Sequence, residues 1–244
     1  MTLALRLEAY TKLSQNDRTR IERLTSKSVR EIGARRDFLR EGESPRAMFV
    51  ILDGWGCRYK ALPDGRRQIV SFFLPGDVCD LNTCMLGQMD HSIGAITAMK
   101  VAEIGPDEFG ELLDQHPRVT NALYWDGLVT LATQREWTLN VGQRSAYERI
   151  AHLLCELFIR LDMVGRTDGR SCDFPLTQLD LADATGLTAV HVNRTLQELR
   201  RDALIELQSR TLTIPDLERL KAAGLFNSNY LHLNGDGRHL GSND

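Results

Sequence analysis

Asn193, Arg194 and Gln197 fall close together in an amphipathic stretch, and Arg201 follows about a turn later. On a helix they share one face with Ala189 and Val190. That face has the chemistry of base and phosphate readout. An arginine guanidinium matches the O6 and N7 acceptors of guanine. An asparagine or glutamine amide matches adenine or a phosphate. Ala189 and Val190 can only pack on a thymine methyl. Thr177, Gln178 and Thr188 stand where helices are expected to start, so their hydroxyls and amides suit phosphate oxygens. His191 lies toward the edge of the face, within reach of a phosphate.

Two short helices joined by a tight turn must position these groups. Thr177-x-x-Asp180 is a capping-box pattern that opens the first helix. Leu179, Ala182 and Ala184 are expected to face inward. Gly186 suits the left-handed conformation of a tight turn. Thr188 caps the second helix, 188–202, whose inward stripe is Val192, Leu196, Leu199 and Ala203. Strands over Ala203–Leu207 and Thr211–Ile214 would then form a β-ribbon. The pattern is a winged helix-turn-helix, which places its second helix in the major groove of double-stranded DNA. The plain alternative is a helical hairpin with a solvated polar face. The two caps, the glycine turn and the following ribbon favour the DNA-binding reading.

Charge does not announce this partner. The chain of 244 residues carries a formal net charge of −3. Residues 142–221 hold 11 Lys/Arg against 12 Asp/Glu. Any cationic footprint is therefore local: Arg194, Arg200 and Arg201 on the second helix and Arg210 in the ribbon. No apolar run reaches the roughly 18 residues needed to span a bilayer, and the first residues lack a signal-peptide pattern. A cytoplasmic protein without a membrane partner is expected. Cys57, Cys79, Cys84, Cys155 and Cys172 are odd in number and contain no C-x-x-C pair, which argues against a disulfide framework or a zinc site.

Upstream, residues 28–105 are punctuated by glycine and show short β-type runs: Met48–Leu52, Gly56–Tyr59, Gln68–Leu74, Ser92–Ala95 and Lys100–Ile104. Short strands at this spacing suggest a jelly roll. From Pro117 the pattern turns helical. Trp125, Leu128, Ala132, Arg135 and Leu139 recur at the spacing of a two-stranded coiled-coil seam, with Arg135 as its polar interruption. Ser145-x-x-Glu148 opens another helix with the buried stripe Ile150, Leu153, Leu154, Leu157 and Leu161. The organisation expected is N-terminal helices and a β-roll sensor over 1–116, a dimerisation helix over 117–142, a winged helix over 143–225 and a flexible tail over 226–244.

Several segments, in order and spacing, resemble the cyclic-AMP receptor protein/FNR superfamily of bacterial transcription regulators. They are Phe38–Glu43, Phe49–Gly54, Asp64–Arg66, Leu74–Asp77, Val101–Ile104, the cap at Ser145 and the run Leu187–Leu199. The resemblance implies an α+β chain: an N-terminal β-roll like a cyclic-nucleotide-binding jelly roll, a long dimerisation helix and a C-terminal winged helix. It implies a homodimer on a near-palindromic operator, with RNA polymerase as a further partner. Arg194 matches the family's guanine-reading arginine, and Thr188 the hydroxyl residue at the start of the recognition helix. Val190 departs from the glutamate usual there, and Ala189 from the arginine of the cyclic-AMP receptor protein.

The same comparison removes the familiar signals. The family's Gly-Glu pair, which takes the ribose hydroxyl, has become Asp80-Leu81. The Arg-Ser pair, which takes the phosphate, has become Met89-Asp90. Residues 68–99 hold no Lys or Arg, yet hold Asp77, Asp80 and Asp90. A buried phosphate beside carboxylates without a cation would be costly, so a cyclic nucleotide in the usual mode is not expected. No cysteine precedes Cys57, so an FNR-type iron–sulfur cluster is not expected either. The effector-pocket candidates are Cys79, Asp80, Leu81, Asn82, Met89 and His91, with no cofactor or metal assigned. Cys79 and Cys84 read as small apolar residues before they read as a redox pair. Two other functions stay open: constitutive DNA binding with a vestigial sensor, and a cupin-like metal enzyme.

Overall fold

A computed structural model describes residues 2–81 and 87–233. The chain divides into two compact units. Of the described residues, the first takes those of Met1–Tyr59, Phe72–Ala132 and Leu231–Asp244, and the second takes Lys60–Ser71 and Thr133–Tyr230. No helix among the described residues is long and apolar enough to cross a membrane.

The chain opens with helices α1 (Thr2–Glu8) and α2 (Gln15–Lys27) and continues, among the described residues, into eight strands: β1 (Val29–Ile32), β2 (Asp37–Leu39), β3 (Met48–Asp53), β4 (Gly56–Ala61), β5 (Arg67–Phe73), β6 (Val78–Cys79), β7 (Ser92–Ala95) and β8 (Met99–Ile104). They form two sheets of four, ordered β1-β8-β3-β6 and β2-β7-β4-β5. The five strands expected from sequence are β3, β4, β5, β7 and β8. The three not foreseen are short, and β1 buries only Ile32, so none shows an alternating pattern. Between the sheets lie Phe38, Phe49, Ile51, Phe73, Ile93 and Val101. A second cluster joins α1 and α2 to Met48, Val50 and Ile104 and to Val119, Ala122 and Leu123 of the long helix. Helix α3 (Pro106–Gln115) precedes that helix, α4 (Pro117–Gln143). Buried Arg6 of α1 holds Asp77 and Asp126, each at 2.8 Å. Removing either carboxylate would leave a buried charge half compensated.

In the second unit, α5 (Ala146–Met163) starts at the capping box of Ser145 and Glu148. Its expected stripe is buried, and so are Ala151, His152, Cys155, Glu156 and Phe158, because helices pack on more than one side of it. Around α5 stand α6 (Gln178–Thr185), α7 (Ala189–Arg201) and α8 (Leu217–Ala223). A small antiparallel sheet, β10 (Glu206–Gln208), β11 (Thr211–Thr213) and β9 (Ser171–Asp173), forms the wing.

The tail expected to be flexible is instead packed as far as it is described. Ser228–Leu231 form a 3-10 turn, and the Tyr230 hydroxyl donates to Glu156 at 2.9 Å. Phe226 and Tyr230 lie on the His152 ring, with centroids at 4.9 and 5.9 Å. A Cβ on Gly224 would stand 2.6 Å from the His152 amide nitrogen, so only glycine permits this approach. Residues 234–244 lie outside the described residues.

Candidate nucleic-acid interface

The capping box of α6 is present with its full set of bonds. Thr177 Oγ1 accepts from the Asp180 amide at 3.1 Å, and the Thr177 amide donates to Asp180 Oδ2 at 2.8 Å. The Thr177 hydroxyl also donates to that oxygen at 2.7 Å. Both Thr177 donors are therefore committed to the cap rather than turned to a phosphate. Gln178 is exposed in the first turn. Leu181, Ala182 and Ala184 face inward, whereas Leu179 is 60% exposed, contrary to the expected stripe. Gly186 follows with φ +68°, the left-handed turn that a Cβ would strain.

Helix α7 is capped by Thr188, whose Oγ1 accepts from the His191 amide at 3.2 Å. It buries Val192, Thr195, Leu196 and Leu199. The opposite face exposes Thr188, Val190, Asn193, Arg194, Gln197 and Arg201. Ala189 and His191 are half-buried at its margins. Of the four local cations, Arg194, Arg201 and Arg210 are exposed, while Arg200 donates to the Leu207 carbonyl at 3.2 Å and ties α7 to the wing. Ser209 and Arg210 both take positive φ, 49° and 63°, at the β10–β11 turn, as a tight two-residue hairpin requires.

Two arginines not singled out from sequence fix this unit. Arg149 donates to the carbonyls of Thr185, Val141 and Arg144 at 2.6, 2.8 and 2.9 Å. It places one cation on the C-terminal carbonyls of both α4 and α6, where the helix dipoles favour positive charge. Arg67 of β5 reaches Asp183 at 2.6 Å and Asp180 at 3.5 Å. Gln68 donates to the Ala184 carbonyl at 3.1 Å beside it. No local pattern in the sequence signals these pairs.

Along α4, Leu128, Arg135 and Leu139 are exposed, but Ala132 is buried within the chain and Trp125 is half-buried against His232, ring centroids 5.7 Å apart. The exposed apolar stripe is instead Tyr124, 71% exposed, Leu128 and Leu131, each 57%, and Leu139, with Arg135 among them. Leu128, Arg135 and Leu139 are common to the expected and the observed rows, and Tyr124 and Leu131, each one position earlier, stand in place of Trp125 and Ala132.

In the β-roll, Cys79 and Met89 are core residues, and burial pushes the Cys79 thiol well up. Leu81 lies near Gly127 of α4. Asn82 and Cys84 lie outside the described residues. Asp80 and His91 meet a cation that the 68–99 window omits: Arg58 of β4, brought in because Arg58 pairs with Ile93 across β4 and β7. Arg58 bonds Asp80 and stands 5.1 Å from the Phe73 ring centroid. His91 is held between Asp80, 2.8 Å from Nε2, and Asp90, 2.5 Å from Nδ1. Burial opposes its charge, but the Asp80 and Asp90 contacts outweigh burial and raise its pKa above the ordinary value. Arg58 is thus already paired with the Asp80 carboxylate.

The remaining described histidines do not assemble a centre. His116 pairs with Asp17 at 2.7 Å, whereas His152 Nε2 lies 3.2 Å from Glu136 without a hydrogen bond, and burial, with Arg144, pushes its pKa down to about 3. Among the described residues no group of three or more His, Cys, Asp or Glu could hold a metal ion.

An eight-stranded roll, a long helix with an apolar exposed stripe and a capped helix-turn-helix with a wing define a DNA-binding regulator. Residues 29–116 match the cyclic nucleotide-binding domain family, and residues 148–223 match the Crp-like helix-turn-helix domain family. The chain is 32% identical over 183 residues to the nitrogen fixation regulation protein FixK of Bradyrhizobium diazoefficiens, covering 75% of this chain and 76% of that one. It is 29% identical to the transcriptional activatory protein AadR of Rhodopseudomonas palustris, covering 86% of each. The solved structure of FixK2 from Bradyrhizobium japonicum has the same fold, with TM-score 0.72 at 24% identity over 80% of this chain and 96% of that one. The chain belongs to the Crp/Fnr superfamily of transcription regulators.

Proposed function

We propose that the protein regulates transcription in the cytoplasm as a homodimer on a near-palindromic operator. Each α7 lies in a major groove, with Arg194 on a guanine and Asn193 or Gln197 on a neighbouring base or phosphate. Gln178 and Arg210 contact the backbone. The observation that carries this reading is the division of α7: one face buried, the other presenting Thr188, Val190, Asn193, Arg194, Gln197 and Arg201. The α4 stripe joins the two chains. RNA polymerase is the downstream partner, and no residue is assigned a catalytic role. The roll uses neither a cyclic nucleotide in the usual mode nor an FNR-type cluster. Its pairing of Arg58 with Asp80 supports the first exclusion.

Selection of bound duplexes from a random pool tests this. An inverted repeat with a G·C pair in each half-site is expected. Enrichment of a motif without a required G·C pair would remove the role given to Arg194. Binding of cyclic AMP with displacement of Asp80 from Arg58 would overturn the reading of the roll.

A further inference from the structure

Val190 is 81% exposed in the first turn of α7, the most exposed of the large apolar side chains among the described residues. It contributes almost nothing to the core. Nor does it serve the helix, because a β-branched residue is a poorer helix former than alanine. Its neighbours on the same face are hydrogen-bonding groups, Asn193 and Arg194. Ala189 is half-buried at the margin, and the Thr188 hydroxyl accepts the capping bond. An apolar group therefore projects from a surface otherwise suited to reading polar base edges.

The major groove has one apolar feature to offer such a group, the C5-methyl of thymine. We infer that Val190 is a specificity-determining residue that reads a pyrimidine 5-methyl group. The inference rests on the operator reading above. Val190 and Arg194 are one helical turn apart, an axial distance of about 5.4–6 Å, which spans about one to two base steps. The methyl is expected within about two base pairs of the guanine that Arg194 reads. Valine's stiff χ1 holds its two methyl groups in place, so the contact needs little ordering on binding. Because only the methyl is sensed, 5-methylcytosine satisfies the same contact, and uracil does not.

The test uses the full chain and the operator recovered by selection. Each thymine of a half-site is replaced singly by deoxyuridine, and affinity is measured at fixed salt. One thymine near the guanine is expected to show binding about three- to fivefold weaker per half-site on loss of its methyl, the value of one buried methyl group. At that position 5-methylcytosine binds more tightly than cytosine. Val190→Ala binds thymine and uracil duplexes nearly alike, with no fall in its thermal midpoint. The inference is overturned if every uracil duplex binds like its parent, or if Val190→Ala keeps the full difference. A pool with no enriched motif would sink the operator reading as well. A motif with its guanine but no methyl dependence would sink this inference alone.

Discussion

Arg194 and His91 carry opposite kinds of information at the residue scale. Arg194 is exposed and adds little to the fold, so Arg194→Ala should leave the thermal midpoint unchanged. It should cost about 1–3 kcal/mol per half-site in operator binding, with relaxed selectivity at one base pair. Arg194→Lys retains the charge and the salt dependence without the bidentate fork, so it should not restore that selectivity. Footprint titrations at several salt concentrations separate the two, and a lysine variant with full selectivity would refute the bidentate role. His91 is buried, and its value lies in its proton. Burial disfavours the imidazolium, and Arg58 adds to that, but Asp80 and Asp90 prevail and raise the folded pKa. The stability it supplies is fully present below its unfolded pKa of about 6.5 and is lost as pH rises through the folded value. The imidazole carbon–proton signals should titrate with a midpoint above 6.5, and His91→Gln should remove that part of the pH dependence. A midpoint at or below 6.5 would show that the two aspartates do not clamp the ring.

At the scale of elements, α6 depends on more than its own sequence. Its cap is local, and Thr177→Ala should cost about 1 kcal/mol. The clasp on its outer side is not local: Arg67 bonds Asp183 and approaches buried Asp180, and Gln68 bonds the Ala184 carbonyl. Arg67→Ala should lower hydrogen-exchange protection of the α6 amides by about 1 kcal/mol, the low end for a charged bond at a partly exposed site. Unchanged protection in α6 would show that the clasp is idle. This contrast explains what could be read from sequence. The helix-turn-helix was legible because caps, a glycine turn and helical periodicity act within a few residues. Arg58 was missed because strand pairing, not proximity in the chain, brings it beside Asp80. Tyr230 was missed because its partner, Glu156, lies on a helix far back in the sequence. The α4 stripe was half legible: periodicity shows apolar rows, but only packing decides that Ala132 turns inward and Leu131 outward.

At the scale of the whole molecule, the argument turns on that outward row. Tyr124, Leu128, Leu131 and Leu139 leave a row of exposed apolar side chains, interrupted by Arg135, along a helix of 27 residues. Such a row of exposed apolar side chains marks an association surface. A second copy is the partner its spacing fits, because the intervals from Tyr124 to Leu128, Leu131 and Arg135 alternate four, three and four, as in a two-stranded seam. One recognition helix makes few base contacts, and joining two half-sites makes the second contact intramolecular. Leu128→Glu combined with Leu131→Glu should therefore give a folded monomer in sedimentation, with unchanged far-ultraviolet dichroism. Its operator affinity should fall by about 10²–10⁴-fold, while weak binding to non-specific DNA persists. Arg135→Leu should act in the other direction, tightening self-association by removing the polar interruption. A double variant that still sediments as a dimer would move the interface off α4. A monomer that binds the operator with undiminished affinity would show that the two half-sites are not read together.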